Sequence, residues 1–200
     1  MEKGFLNEIL RSSKTVFSFK DLILFWGGID KLTAGSRVNY YTKHNDLYHI
    51  RRGLYAKDKN YDKYELATKI FTPSYISFET VLGSAGVTFQ HYSKIFVASY
   101  QNKEIECDGQ TIAFKRIKDE ILTNNAGIEI KDNYSIASAE RAFLDVVYLN
   151  TDYHFDNLST LNWDKVNSIL PVYGGNKRMG KMVKKYHESV INNLKQIYVA

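Results

Sequence analysis

Apolar residues recur first at helical spacing, then in short strand-like runs, then at helical spacing again. Phe5, Leu6, Ile9 and Leu10 predict a helix over residues 3–12. Ser18 and Asp21 stand three apart, as in a capping box that satisfies free N–H groups at a helix start. The helix they open runs through Leu22, Ile23, Phe25 and Trp26 and stops at Gly27 and Gly28. A third helix opens at Asp30 or at Ser36, since Gly35 interrupts the pattern, and ends near Asn45 and Asp46. Its Ala34, Val38 and Tyr41 share one face. Ser36, Asn39, Tyr40 and Lys43 take the opposite face, with Arg37 at its flank. The stretch LYHIRRGLYA (47–56) then sets two apolar-rich runs around Arg51, Arg52 and Gly53, a hairpin whose turn needs glycine's access to positive φ. Three short helices followed by a two-stranded ribbon is the element order of a winged helix-turn-helix.

Lys57 to Asn60 is polar and has no apolar anchor, so a domain boundary is placed there, separating residues 1–57 from 58–200. Past it, Tyr64, Leu66, Ala67 and Ile70 predict a helix ending before Pro73. Ser77 is expected to cap the next helix, striped by Phe78, Val81, Leu82 and Ala85 and closed by Gly86. From Lys94 to Ile136, IFVASY, EIEC, TIAFKRI, IEI and YSIA are separated by turn signals and predict a small antiparallel meander. Ser138 then caps AERAFLDVVYL, which is apolar on more than one side and expected to be buried. Helical patterns over 162–170 and 175–197 close an α+β chain.

Of the 200 residues, 44% are apolar and 14% aromatic, enough to build a core. The longest strongly apolar run, Leu22 to Trp26, is far shorter than the roughly 20 residues of a membrane span. The first residues lack the apolar core of a signal peptide. Cys107 stands alone, so no disulfide forms within the chain and a reducing cytoplasm is expected. The net charge of +5 is unevenly placed. Residues 1–60 carry 11 Lys/Arg against 6 Asp/Glu, residues 61–170 carry 10 against 15, and residues 171–200 carry 6 against 1. Segregated basic blocks attract phosphates or acidic surfaces.

Three stretches, RRGLYA (51–56), TPSYISFETVLGSAG (72–86) and SIASAERAFLDVVYL (135–149), together resemble the successive signatures of abortive-infection antitoxins of the AbiEi type. Ala139 stands where that family often has proline, which favours but is not required in a first helical turn. The resemblance implies a non-enzymatic cytoplasmic protein without a cofactor. Its winged-helix domain would bind inverted repeats in double-stranded DNA at its own promoter as an autorepressor. Its second domain would counter a nucleotidyltransferase-like toxin, and the resemblance does not imply that the two proteins form a stable complex. A stand-alone transcriptional regulator is the alternative within binding proteins.

DNA contact needs positive charge for phosphates and side chains that reach base edges. Arg37 and Asn39 suit guanine and adenine edges, while Ser36, Tyr40 and Lys43 suit phosphates. Arg51 and Arg52, at the tip of a wing, could reach backbone or a minor groove; strand alternation favours one facing outward and one folding back. Lys177, Arg178, Lys181, Lys184 and Lys185 form a second basic surface on the last helix. Gly175, Gly180 and Lys181 match the spacing of a phosphate-binding loop, but Met182 stands where a hydroxyl should meet Mg²⁺. The histidines form no short ligand motif, and Cys107 lies between Glu106 and Asp108, which disfavour a thiolate. Glu104, Glu106, Glu129 and Lys131 would be the metal-dependent site of a rival nucleic-acid-processing enzyme. Arg141 and Asp145, four apart, can pair within their helix.

Overall fold

The computed structural model describes residues 3–199, apart from the side chains of residues 3, 5 and 193–199, so the expected core role of Phe5 lies outside what is described. Helices α1 (Lys3–Arg11), α2 (Phe19–Phe25) and α3 (Lys31–Lys43) form around Ile9, Leu22, Trp26, Ala34, Val38, Tyr41 and Leu47, all buried. The capping box at α2 is complete, with Asp21 N–H donating to the Ser18 hydroxyl at 3.0 Å and Ser18 N–H to the Asp21 carboxylate at 2.9 Å. α3 opens at Asp30, whose carboxylate accepts from Leu32 and Thr33 N–H, and Gly35 does not interrupt it.

The hairpin of β2 (Tyr48–Arg51) and β3 (Leu54–Ala56) has a third partner, β1 (Val16–Ser18), in the order β1-β3-β2. This strand was not expected, because its three residues run directly into a helix cap and leave no room for visible alternation. Alternation is nonetheless what they do. Phe17 enters the three-helix cluster, whereas Val16 and Leu54 enter the larger core of the following residues. The small sheet is thus shared between two hydrophobic clusters.

The second core surrounds a six-stranded sheet of β4 (Ser74–Ile76), β5 (Ile95–Ser99), β6 (Lys103–Cys107), β7 (Gln110–Arg116), β8 (Ile128–Lys131) and β9 (Tyr134–Ala137). Its order is β6-β7-β5-β4-β9-β8, with β5–β7 and β4–β9 parallel and the other pairs antiparallel. The expected antiparallel meander is therefore corrected to a mixed sheet with one more strand. Turn residues mark where strands end but not which strands become neighbours. Every residue of Ile95–Ser99 is buried, the pattern of a strand covered on both faces.

Helices α4 (Lys63–Ile70), α5 (Phe78–Ser84), α6 (Asp119–Leu122), α7 (Ala139–Leu149), α8 (Trp163–Ile169) and α9 (Lys177–Val199) complete the chain. α4 lies against β4, β5 and β9 and also touches β1, while α5, α8 and α9 pack on α7. Ser77 precedes α5 but does not cap it; its hydroxyl donates to the Asp145 carboxylate at 2.7 Å. That bond turns the hydroxyl into the core and away from the helix N–H groups, so the cap loses its side chain. No described helix is long and apolar enough to cross a membrane.

Arg141 and Asp145 are fully buried on α7 and joined at 3.4 Å. The guanidinium also donates to the carbonyls of Ile121 (2.7 Å), Asn124 (3.3 Å) and Ala126 (2.8 Å), pinning the segment between α6 and β8. Asp145 accepts from Tyr173 (2.6 Å), Ser77 (2.7 Å) and Tyr75 (3.1 Å). Burial raises the Asp145 carboxyl, against the opposing pull of Arg141 and the three hydroxyls.

Candidate nucleic-acid interface

α3 is 13 residues long, about 20 Å, and its three buried side chains fix which side faces out. Trp26 supports it from below, with its ring 6.1 Å from that of Tyr41. Ser36, Asn39, Tyr40 and Lys43 are exposed together on the free side, along with Leu32 and Thr33 of the first turn. Tyr40 is held by His44, whose ring lies 4.1 Å away and whose Nδ1 is 2.8 Å from the Tyr40 carbonyl, so that Nδ1–H donates. The free side is therefore mostly polar, with Leu32 exposed at one end and Lys43 at the other, and has one ordered aromatic pair.

Arg37 is not on that side. It is half-buried, with its guanidinium 5.9 Å from the centre of the Trp26 ring, a cation–π distance. Expected as a base-reading side chain, it is placed instead where it covers the indole.

The two arginines of the hairpin separate. Gly53, at φ +78°, makes the turn, and a register shift between His49 and Arg51 marks a bulge just before it. Arg52 is exposed at the tip. Arg51 is half-buried on β2, its Nη1 enclosed without a hydrogen-bond partner. Burial pushes the Cys107 thiol up, and the nearby Arg51 charge opposes that rise. Arg51 therefore folds back toward the β6–β7 turn, as strand alternation expects for one of the pair. Lys57, counted in the basic block, donates to the Leu10 carbonyl at 3.1 Å and to that of Ser12, and so ties down the end of α1.

At the far end of the chain, Lys177, Lys181, Lys184 and Lys185 are exposed on α9, opposite the buried Met179 and Val183. Arg178 leaves this group. It donates to the carbonyls of Tyr148 (2.7 Å) and Asn150 (3.0 Å), where a cation stabilises the C-terminal end of α7. Gly180 and Lys181 lie inside α9 and follow a 3-10 turn over Leu170–Tyr173 rather than a strand, so no phosphate-binding loop exists there.

The rival enzymatic set is dispersed. Glu104 and Glu106 lie on β6 and Glu129 and Lys131 on β8, the two opposite edges of the sheet, about 24 Å apart at the usual strand spacing. Glu104 pairs with Lys94 at 2.7 Å.

Sequence patterns gave no sign of a clasp between the halves of the chain. The Asp108 carboxylate accepts from Tyr48 of β2 and from Tyr61, each at 2.9 Å. Its φ of +51° places it in the β6–β7 turn. An Asp-Gly turn is visible in the sequence, but nothing there names the phenols that reach it. No family model matches the chain, and no curated protein is significantly similar to it.

Proposed function

We propose that the protein is a DNA-binding autorepressor and antitoxin of the AbiEi type, with residues up to about 57 acting as a winged helix. The observation that carries this reading is the exposed polar side of α3, where Ser36, Asn39, Tyr40 and Lys43 stand opposite the buried Ala34, Val38 and Tyr41. A helix so presented fits the major groove. Asn39 reads adenine, Tyr40 and Lys43 hold phosphates, and exposed Leu32 offers an apolar contact of the kind made with a thymine methyl group. Arg52 at the hairpin tip adds a backbone or minor-groove contact. Inverted repeats in the protein's own promoter are the expected target, and the second half of the chain counters a nucleotidyltransferase-like toxin. Its lysine face on α9 is a second acceptor for nucleic acid or for an acidic partner surface.

A mobility-shift titration on the DNA upstream of the gene tests the first half of this reading. Binding that weakens with salt, and weakens further in Asn39→Ala and Lys43→Ala, is the expected result. Equal affinity for the upstream and an unrelated duplex, unchanged by both substitutions, would overturn it. Co-expression with a neighbouring nucleotidyltransferase-like gene tests the second half. Persistent toxicity alongside specific DNA binding would leave a stand-alone regulator.

A further inference from the structure

Glu65, on the first turn of α4, is 1% exposed, yet its carboxylate is only half used. Oε2 accepts from Thr15 N–H at 2.8 Å and from the Thr15 hydroxyl at 2.7 Å, while Oε1 is enclosed with no partner. Asp62 and Glu65 have the spacing of a capping box, in which Glu65 would turn back to the Asp62 N–H. That N–H instead donates to the Thr15 hydroxyl at 2.9 Å, so the glutamate is directed away from its own helix end.

Glu65 lines a cavity of about 330 Å³ together with Ser13, Thr15, Asp62, Asp132, Asn133 and Tyr134. Its walls come from both halves of the chain, the segment before β1 and the β8–β9 turn. They include three carboxylates and neither Lys nor Arg. None of these three acids is in an ion pair among the described residues. The Tyr134 phenol is raised by burial and then by the charges of Asp62 and Asp132, which registers the negative field inside. Asn133 Nδ2 donates to the Ser13 carbonyl, which leaves its Oδ1 as a further acceptor.

The lining favours a cation, and its free oxygens suit one with N–H donors. A bare metal ion does not suit it, because among the described residues no three His, Cys, Asp or Glu side chains converge closely enough to hold one. Asp62 and Tyr134 also line a larger cleft of about 830 Å³, and Tyr64 meets Tyr134 edge-on at 5.5 Å there. A methylene chain leaving the small cavity would run along these rings.

We propose that this cavity binds an alkylammonium group, the charged end of a free diamine or of a lysine side chain, with the Glu65 carboxylate in its wall as the counter-charge. Asp132, the Asn133 amide oxygen and the second oxygen of Asp62, whose first caps α4, accept from its N–H groups. The site joins the two halves of the chain and is independent of the DNA-binding reading.

Calorimetric titration of the full chain with putrescine, and separately with Nα-acetyl-lysinamide, tests it, with tetramethylammonium as a cation lacking N–H donors. Saturable one-site binding of either amine is expected. It should weaken about tenfold or more in Glu65→Gln, which removes that counter-charge. Asp132→Asn, on an exposed turn residue, should weaken it in a chain whose core is untouched, and Glu106→Gln should not. Binding of putrescine alone assigns the site to a free diamine, and binding of the lysine amide assigns it to a side chain. No saturation by either amine below about 10 mM, an equal response to tetramethylammonium, or indifference to both Glu65→Gln and Asp132→Asn would overturn the proposal.

Discussion

The Tyr48 hydroxyl donates to Asp108 at 2.9 Å across 60 residues of sequence, tying the strand that leads to the hairpin tip to a turn of the six-stranded sheet. Tyr61 donates to the same carboxylate, so one acid fixes two phenols from either side of the expected domain boundary. Ionising Tyr48 would break its bond and set a phenolate beside Asp108, which raises its pKa; Tyr61 is raised first by burial and then by Asp108. For a raised phenol, the stabilising contribution is complete below about pH 10 and is lost as pH climbs through the folded value. Asp108→Asn is therefore expected to bring the Tyr48 titration down toward 10 while Tyr61 stays high. Ultraviolet phenolate titration of Tyr48→Phe and Tyr61→Phe backgrounds assigns each, and two unshifted curves would remove the clasp.

The two hairpin arginines should behave differently. Arg52 is exposed, so Arg52→Ala is expected to weaken DNA binding and to lower the slope of log K against log salt by about 0.9, one phosphate's worth. Arg51 folds back toward Cys107, so Arg51→Ala should leave that slope unchanged and instead lower the unfolding midpoint. Anisotropy titrations at several salt concentrations separate the two. A slope change in Arg51→Ala would place that guanidinium on DNA.

Gly127 can be nothing but glycine. Its φ is +73°, and an added Cβ would lie 2.7 Å from Ile169 Cδ1 and 2.9 Å from Arg141 Cβ. Left-handed backbone disfavours a side chain by about 1–2 kcal/mol and overpacking adds about 1–3 kcal/mol. Gly127→Ala should thus lose at least about 2 kcal/mol in urea unfolding. A loss below about 0.5 kcal/mol would mean that the loop shifts freely, contrary to its three bonds from Arg141.

Asp145→Asn leaves Arg141 buried without its counter-charge, a change that typically destabilises by about 3–5 kcal/mol. Arg141→Met also removes the donors to Ile121, Asn124 and Ala126. Replacing both residues together should recover part of the Asp145→Asn loss, because no lone charge then remains inside. A double-mutant cycle in denaturant measures that recovery, and strict additivity would contradict the pairing.

What the sequence could reveal follows from the range of each interaction. The i, i+3, i+4 stripes placed the main helices, and the Ser18–Asp21 cap is local and was visible. The faces of α3 followed from Ala34, Val38 and Tyr41 alone. Sheet order was hidden, since the neighbours of Ile95–Ser99 are chosen by packing among residues far apart in the chain. β1 and β4, three residues each, are too short to show a period. At the candidate interface, positive charge was legible but its direction was not. Arg178 and Lys57 look like surface cations in the sequence, yet they find backbone carbonyls at helix ends that only the tertiary fold brings near.

Asp21 makes the stability of the N-terminal half sensitive to acid. Its carboxylate accepts from Ser18 and lies 3.2 Å from Lys69 of α4 and 3.7 Å from Lys14. Burial pulls its pKa up, but the Ser18 N–H and the Lys69 charge pull harder in the other direction, and the net value lies below the ordinary 3.8. A depressed carboxyl contributes stability that is present above the unfolded value and is lost as pH falls through the folded one. The window is therefore below about pH 4, not near neutrality. Asp21→Asn keeps an acceptor for Ser18 but has no charge for Lys69, so at pH 7 it should be less stable by up to about 1 kcal/mol, the scale of a partly exposed ion pair. As pH is lowered toward 2, the wild-type carboxyl takes up its proton and comes to resemble the amide. The two unfolding curves should then converge. A gap that stays constant from pH 7 to pH 2 would show that the substitution acts through shape rather than through the ionised carboxylate.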